Sequence, residues 1–364
     1  MSVTAALIVR NESATLARCL DSIQRGVDQI VVVDTGSEDD TREIARRYTS
    51  EVSEFRWVQD FAAARQHSFD RARGDWVCWF DADDVVANAE HIRDGTLHAA
   101  ADVCGFYWKY VVGEDGYGNS TCELWRERCV RKSAGFRWQG RVHEVLVPRG
   151  PARLVRDASI TVHHRPLPRS SEHQRRNLDI LESEYAATRA APQPRLLLYL
   201  GNEYVDHGRY AEAVDFLQRY LAVATWDDEK YLAQLRVAAL YRLLGNYDAS
   251  LDASLRALKI HPHWPMAHFS LGETYYFLQD WPKVVHWCES GQAMPVPETL
   301  CIVQPLAYRY DWIIHYSNAL FHVGRVAEGL EWTNRALGIC PHETWHLENA
   351  RFFASILAGG ACKA

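Results

Sequence analysis

Three carboxylates occur within four residues of this chain. Asp81, Asp83 and Asp84 directly follow the apolar run from Trp76 to Phe80. If the strand that this run predicts continues to Asp83, the alternation of side chains places Asp81 and Asp83 on one face. Two carboxylates on one face can bind Mg²⁺ or Mn²⁺ and leave positions open for phosphate oxygens. Asp84 is expected to point elsewhere or to cap the next helix, and a solvated acidic loop is the alternative interpretation of the cluster.

A further carboxylate ends the predicted strand from Gln29 to Val33. Asp34 follows that strand directly, and open α/β sheets bind ligands at the carboxyl ends of their strands. A helix cap would explain Ser37 or Asp39, but it would not explain Asp34, which precedes the turn. The chain has neither a G-x-G-x-x-G fingerprint nor a Walker loop. The phosphates of a bound nucleotide would therefore need another positive group, such as a metal ion.

The elements that must position these residues alternate between strand and helix up to about residue 165, which predicts an α/β domain. Predicted strands are Ala5 to Val9, Gln29 to Val33, Asp75 to Phe80, Gly105 to Val112, Cys122 to Arg131 and Ala158 to His163. Predicted helices are Ser13 to Gly26, Asp39 to Tyr48 and Gln59 to Arg73.

From about residue 172 the pattern changes to successive helices with an internal repeat. Aligning Leu200-Gly201, Val237-Ala238, Leu271-Gly272 and Tyr316-Ser317 gives spacings of 37, 34 and 45 residues, the last with an insertion around 294–305. The alignment also brings expected turn positions into register: Gly208, Gly245, Gln279 and Gly324. Helix-turn-helix units of this length resemble tetratricopeptide repeats, which stack into a superhelix with a surface available to a partner.

Composition excludes several classes of protein. The 364 residues carry a formal net charge of -7 without a long run of Lys or Arg, which argues against a nucleic-acid partner. The nine cysteines are odd in number and never spaced C-x-x-C, which favours reduced thiols. We expect no signal peptide and no transmembrane segment, because no apolar run approaches about 18 to 20 residues. The expected location is cytoplasmic.

Four motifs in the first domain resemble those of family 2 glycosyltransferases with the GT-A fold. They are "ALIVRNE" at 6–12, "VVVDTGSEDDT" at 31–41, "DFAAARQHSFDRARGDW" at 60–76 and "FDADD" at 80–84. The resemblance covers roughly residues 3–165. The combination of such a domain with helical repeats resembles one subgroup of this family. That subgroup contains the peptide S-glycosyltransferases of glycosylated bacteriocins and relatives that act on cell-surface glycans.

The resemblance implies an α/β GT-A nucleotide-diphospho-sugar transferase domain followed by an all-α tetratricopeptide-like domain. The expected boundaries are 1–168 for the transferase domain, 169–194 for a linker or connecting helix, and 195–364 for the repeats. It also implies inverting transfer from a UDP-sugar donor with Mn²⁺ or Mg²⁺ as cofactor. Thr35 departs from the family pattern, because many members have a second Asp there, and uridine as the base is therefore an expectation only.

The resemblance further assigns roles to individual positions of the donor site. Glu12 and Asp34 would hold the nucleoside with backbone help at Val9 and Arg10, Arg65 would lie near the nucleotide, Asp81 and Ala82 near the ribose or sugar, and Asp83 would bind the metal. A late histidine often completes the metal site in such enzymes. Since adjacent strand residues face opposite ways, only one of His163 and His164 should reach it, and His163 is favoured. A structural histidine is the alternative.

Inverting transfer requires a base on the acceptor side, and the segment 136–145 reproduces the subgroup's G-x-V-H-E pattern. Glu144 is the first candidate and His143 the second. Alternatively, Glu144 pairs with Arg141 or Arg137 on the surface.

The expected acceptor is a peptide or protein that the repeats hold and that is glycosylated on Ser, Thr or Cys. A lipopolysaccharide-core or other surface-glycan acceptor is one alternative. Another is a non-catalytic scaffold with a degenerate transferase domain. Repeats of this kind often mediate self-association, and the sequence leaves open a homo-oligomer, the sugar and the acceptor atom.

Overall fold

The computed structural model describes residues 1–167 and 171–359, except for the side chains of residues 171–174. The end of the predicted first domain and the start of the predicted linker, at residues 168–170, lie outside this range, as does Cys362. The chain forms two compact units. The first comprises residues 1–113 and the described part of 122–187, and the second comprises 114–121 with the described residues from 188 onward.

The first unit is a mixed α/β structure. Its strands are β1 (Val3–Val9), β2 (Gln29–Asp34), β3 (Val52–Glu54), β4 (Trp76–Phe80), β5 (Asp84–Ala87), β6 (Val103–Glu114), β7 (Ser120–Arg131), β8 (Arg137–Gln139), β9 (Val145–Val147) and β10 (Arg153–His164). Its helices are α1 (Leu16–Ile23), α2 (Thr41–Arg46), α3 (Phe61–Arg71), α4 (His91–Leu97) and α5 (Ser171–Thr188).

Eight of these strands form one sheet in the order β3-β2-β1-β4-β7-β6-β10-β5, and β8 pairs with β9 separately. β1, β2, β3 and β4 run parallel, and β7 pairs antiparallel with β4. β1 and β4 are almost entirely apolar and buried, as expected for central strands covered on both faces. Their shared direction brings the carboxyl ends of β1, β2 and β4 to one edge of the sheet. The predicted α/β fold is confirmed.

The acidic segment after β4 differs from the expectation. β4 ends at Phe80, residues 81–83 form a turn, and β5 begins at Asp84. Because the strand does not continue to Asp83, Asp81 and Asp83 do not lie on one face of a strand. The helix-cap interpretation of Asp84 is wrong, because β5 pairs antiparallel with β10 and includes this residue. The turn is closed by a hydrogen bond from the Asp84 N–H to the Asp81 carbonyl (3.0 Å).

The second unit is helical. Its helices are α6 (Pro194–Asp206), α7 (Tyr210–Leu221), α8 (Asp227–Leu243), α9 (Tyr247–Ile260), α10 (Pro265–Phe277), α11 (Trp281–Gln292), α12 (Pro305–Arg309), α13 (Ile313–His322), α14 (Val326–Ile339) and α15 (Thr344–Leu357). Four antiparallel pairs, α6-α7, α8-α9, α10-α11 and α13-α14, correspond to the four predicted repeats. These pairs agree with the helix-turn-helix units that the repeat predicts.

The four predicted turn positions all have left-handed backbone. The φ angles are 70° at Gly208, 73° at Gly245, 57° at Gln279 and 83° at Gly324. Glycine adopts this conformation without the steric cost that a side chain adds, which explains its use at three of the four turns.

Small residues also allow the two helices of a pair to approach closely. A Cβ atom added to Gly201 in α6 would lie 2.7 Å from Cγ of Leu217 in α7. Leu217 is fully buried and cannot move into solvent to relieve the overlap. The small residue at this repeat position is thus a packing requirement between the paired helices.

The insertion between the third and fourth pairs packs back onto an earlier pair. Thr299 lies in the non-helical stretch after α11, and its hydroxyl donates to Oδ2 of Asp228 in the first turn of α8 (2.7 Å). His261 lies 3.0 Å from the other oxygen of the same carboxylate. Thr299 and Cys301 are both buried. The inserted segment is therefore part of the packed helical unit.

Two sequence expectations concern the whole chain. The cysteines at 19, 78, 104, 122, 129, 288, 301 and 340 are free thiols. None of the helices in the two described ranges combines the length and the apolarity that crossing a bilayer requires.

Alanine substitutions at two helical glycines should have opposite effects. Gly201→Ala should lower the free energy of unfolding by about 1–2 kcal/mol, because the overlap with Leu217 outweighs the gain in helix propensity. Gly338→Ala should raise it by about 0.5–1 kcal/mol, since the site in α14 is exposed and open. Urea unfolding followed by circular dichroism measures both changes. Equal effects of the two substitutions would contradict the packing argument.

Candidate active site

The loops after β1 and β2 are locked together by side chain to backbone hydrogen bonds. Asn11 has a left-handed φ of 54°, its N–H donates to Ser37 Oγ (3.0 Å), and its Oδ1 accepts from the Glu38 N–H (2.8 Å). The Glu12 N–H donates to Thr41 Oγ1 (2.7 Å). These bonds connect the end of one parallel strand to the end of its neighbour and so shape the sheet edge.

The residues expected to hold the nucleoside lie in these two loops. Val9 and Asp34 are register partners in neighbouring strands, and both are buried. Arg10 is exposed, and Glu12 Oε2 accepts a hydrogen bond from Thr15 (2.6 Å). The structure thus places these four positions side by side at the carboxyl edge.

Asp34 combines a local structural role with an unsatisfied buried atom. Its Oδ1 accepts from the N–H groups of Gly36 and Ser37 at 3.0 Å each, which stabilises the turn after β2. Its Oδ2 is buried and has no hydrogen-bond partner among the described residues. Because buried carboxylate oxygens are normally hydrogen-bonded, Oδ2 is well suited to accept from a bound ligand.

Arg65 connects two of the predicted site residues. This α3 side chain is 8% exposed and lies 2.5 Å from a carboxylate oxygen of Asp81 through Nη2 and of Glu144 through Nε. The guanidinium also lies over the ring of Trp79 (4.5 Å) and near that of Trp138 (5.2 Å). A planar cation with several donors suits this position, since lysine offers only one compact charge. The structure therefore gathers Asp81, Arg65 and Glu144 into one ion-paired triad.

The segment that delivers Glu144 is fixed by its backbone. Gly140 and His143 have left-handed φ angles of 93° and 54°, and the Phe61 N–H at the start of α3 donates to the Arg141 carbonyl (2.9 Å). This bond ties the loop to the helix that carries Arg65. Glu144 is 7% exposed. The alternative of a surface pair with Arg141 or Arg137 is wrong.

The triad shifts the titration of its members. Burial alone would lower the pKa of Arg65, but Asp81 and Glu144 raise it above its ordinary value. Burial alone would raise the pKa of Asp81, but attraction to Arg65 and Arg128 holds it well below its usual range. Asp81 and Arg65 are therefore both charged at neutral pH.

Asp83 lies beside the last residue of β10. Its Oδ1 is 3.3 Å from His164 Nδ1, and its backbone carbonyl accepts from the Arg165 N–H (2.9 Å). The sequence favoured His163 over His164 for this position, and the structure places His164 there instead. His163 alternates to the other face of β10. Ala82, between the two predicted aspartates, is buried.

The donor set at this turn fits a divalent cation. Ligand atoms of Asp83, Asp84 and His164 lie within 4.8 Å of one another. Asp84 Oδ1 is buried and lacks a hydrogen-bond partner among the described residues. Burial alone would lower the pKa of His164, whereas Asp83 and Asp84 raise it to about 9, so a metal ion that binds here must displace the proton of the imidazolium. Carboxylate and imidazole ligands together suit Mn²⁺ or Mg²⁺ with open positions.

Arg128 is the residue at this site that the sequence reasoning missed. It lies in β7 and is fully buried, and its Nη1 donates to Asp84 Oδ2 (2.8 Å). The available signal was an arginine directly before Cys129-Val130 in a predicted strand, because a buried cation requires a carboxylate partner. Asp81 and Asp84 thus each have a guanidinium partner, and Asp83 has an imidazole.

Comparison with known proteins agrees with this geometry. Residues 4–145 match the family model Glycosyl transferase family 2. The first unit contains a family 2 glycosyl transferase domain. This domain includes β1 through β8, the triad and the acidic turn, while His164 lies beyond the matched range.

Two curated relatives carry glycosyltransferase names. The SPbeta prophage-derived glycosyltransferase SunS of Bacillus subtilis is 26% identical over 230 residues, covering 60% of this chain and 53% of SunS. The lipopolysaccharide core biosynthesis glycosyltransferase LpsC of Rhizobium meliloti is 27% identical over 178 residues, covering 46% of this chain and 64% of LpsC. The chain therefore spans less than two thirds of either relative.

Among solved structures, the TPR protein YrrB aligns with a TM-score of 0.38 and 16% identity, over 50% of this chain and 84% of YrrB.

Removing the cation of the triad should destabilise the first unit. Arg65→Met leaves two largely buried carboxylates without a partner and should lower the free energy of unfolding by about 3–5 kcal/mol at pH 7. Because the pKa of Asp81 is lowered in the folded state, its contribution is fully present above about pH 4 and is lost as the pH falls further. The deficit of the variant should therefore shrink under acidic conditions.

Urea unfolding at pH 7 and at pH 3.5 measures this effect. Arg46→Met is the matched control, because it breaks an exposed pair with Glu43 and should change stability by less than about 1 kcal/mol. A similar small change in the free energy of unfolding of both variants would contradict the stabilisation assigned to the triad.

Proposed function

We propose that this protein is a metal-dependent, inverting glycosyltransferase that moves a sugar from UDP to a peptide or protein acceptor. One observation carries the proposal. The ion-paired Asp81-Arg65-Glu144 triad lies within residues 4–145, which match the family model, and the Asp83-His164 pair occupies the same sheet edge.

The donor would lie across the ends of β2, β1 and β4. Asp34 Oδ2 would accept from the nucleoside, with Glu12 and the backbone at Val9 and Arg10 beside it. β2 and β4 flank β1 in the sheet, so their ends are about 10 Å apart. This separation suits a ligand whose base lies at Asp34 and whose diphosphate reaches the acidic turn.

Asp83 and His164 would hold the metal ion. Mn²⁺ or Mg²⁺ at this position supplies Lewis-acid stabilisation of the departing diphosphate. Asp81 and Ala82 would contact the ribose or the sugar. Arg65, held in place by Asp81 and Glu144, would lie near the leaving group without having to reorganise.

A base must remove the proton of the acceptor as the new bond forms. Glu144 remains the first candidate, and since Arg65 binds its Oε1, the proton would go to Oε2. His143, the residue directly before Glu144, remains the second candidate. The backbone at His143 is left-handed, and both candidate side chains would lie next to each other on the acceptor side of the proposed site.

The acceptor is proposed to bind the helical unit. Exposed apolar side chains recur at the ends of successive first helices, at Leu243 in α8 and Phe277 in α10. Stacked helix pairs present such side chains at regular intervals, which suits an extended polypeptide with Ser, Thr or Cys as target. The name of LpsC favours one alternative, a surface-glycan acceptor for the same site. A scaffold with a degenerate domain is disfavoured by the complete acidic set.

Donor cleavage should depend on Asp83. With UDP-glucose or UDP-N-acetylglucosamine and Mn²⁺, the protein should release UDP, and Asp83→Asn should reduce the rate at least about 100-fold because the metal loses a ligand. A coupled assay for UDP measures the release. Asp70→Asn, which removes an exposed carboxylate paired with Arg137, is the matched control and should retain activity.

The same assay separates the alternative functions. Stimulation by Ser-, Thr- or Cys-containing peptides, with the mass of the donor's sugar added to the peptide, supports the proposed acceptor. Stimulation only by oligosaccharides favours the glycan alternative. If the protein neither binds UDP nor cleaves the donor, the proposal that it is a glycosyltransferase is refuted. Full activity of Asp83→Asn would refute only the assignment of Asp83 as a metal ligand and would leave the proposed enzyme activity standing.

Substitutions at the two candidate bases should separate their roles. Glu144→Gln should lower kcat for acceptor transfer about 10²- to 10⁴-fold if Glu144 removes the proton, while His143→Asn should lower it much less. UDP binding by isothermal titration calorimetry should change little in either variant. The opposite ranking of the two kcat values would assign the base to His143 and leave Glu144 as the anchor of Arg65.

A further inference from the structure

The fully buried Arg128 lies against the acidic turn. Its Nη1 donates to Asp84 Oδ2 (2.8 Å) and to the Trp79 carbonyl (3.3 Å). The guanidinium carbon lies 3.8 Å from the ring centre of Trp79 and 4.1 Å from that of Tyr110. Nε and Nη2 are buried without a hydrogen-bond partner among the described residues. Asp84 is therefore the carboxylate that compensates this buried charge most directly.

Asp84 is engaged on one oxygen and positioned as a metal ligand through the other. Oδ2 accepts from Arg128 and also from the Asp81 N–H (2.9 Å). Oδ1 lies 3.6 Å from His164 Nδ1, the same nitrogen that is 3.3 Å from Asp83 Oδ1. Position alone would make Asp84 a third ligand beside Asp83 and His164.

The charge of Arg128 opposes that role. A carboxylate paired with a buried guanidinium offers a cation less attraction, and the guanidinium itself repels a divalent ion placed on the far side of Asp84. The affinity of oxygen-ligand sites for hard cations rises with the number of charged ligands they supply. Neutralising Asp84 therefore weakens the site for a metal ion alone.

We propose that Arg128 withholds Asp84 from the metal, so that Asp83 and His164 are the protein ligands and the remaining positions stay open for diphosphate oxygens. This inference rests on the proposed metal-dependent function and deepens it. Arg128 acts through Asp84 as a positioning residue. It keeps the empty site weak for cations and makes tight metal binding depend on the nucleotide.

The test measures binding of Mn²⁺ alone to the full chain, by electron paramagnetic resonance of the free ion. Arg128→Met should tighten Mn²⁺ binding about tenfold or more, because Asp84 becomes available as a third charged ligand. The double variant Arg128→Met, Asp84→Asn should return to within threefold of the wild type. Arg128→Lys retains the charge and should bind Mn²⁺ like the wild type.

Arg153→Met is the matched control for the loss of a positive charge, because Arg153 forms an exposed pair with Asp102. It should leave Mn²⁺ binding unchanged. Unchanged or weaker binding in Arg128→Met would overturn the proposal, and so would tightening that persists without the Asp84 carboxylate. A merely structural role of Arg128 does not predict tighter binding.

A second variant covers the case in which Arg128→Met fails to fold, as judged by circular dichroism. Arg128→Gln with Asp84→Asn replaces the ion pair by a neutral pair and should bind Mn²⁺ within threefold of the wild type. A loss of tenfold or more would make Asp84 a native ligand and refute the inference. Failure of the proposed function appears elsewhere, as absent UDP release by the wild type, and leaves these Mn²⁺ comparisons decisive.

Discussion

Burying a carboxylate requires a positive partner, and the turn after β4 has to meet that requirement three times within four residues. Arg65 from α3 pairs with Asp81, Arg128 from β7 pairs with Asp84, and His164 from β10 lies beside Asp83. Each partner comes from a different element of the first unit. The turn can be buried only where these elements converge, so the electrostatic requirement also defines the sheet edge around which the candidate site is built.

Arg65 extends this arrangement to the acceptor side of the proposed reaction. By binding Asp81 and Glu144 together, it connects the end of β4 to the loop before β9, and two tryptophan rings enclose its charge. Low exposure strengthens these interactions relative to those in water. A group that contacts the donor and a group that receives a proton would thus be held at a fixed separation by one side chain.

Much of this organisation could be predicted from the sequence, because it follows from local patterns. Apolar runs located β1, β2 and β4, and parallel strands necessarily end at one edge, which brings Asp34 and Asp81 near each other. The repeat spacing located the four left-handed turns. The end of β4 at Phe80 agrees with the predicted strand. The turn that follows was not predictable, because it is stabilised by Arg128 and His164, which lie 44 or more residues further along the chain. The choice of His164 over His163 depends on the register between β10 and β5, which no local pattern specifies.

The insertion after α11 changes how the helical unit can lose its structure. Stacked helix pairs normally interact only with their neighbours, so an array can unravel stepwise from one end. Thr299 bonds to Asp228, a residue 71 positions earlier and in the second pair. This contact connects the insertion after the third pair to the first helix of the second pair. Fraying from the C-terminal end must then break a long-range contact in order to proceed, which makes the helical unit behave less like a linear array and more like a single cooperative body.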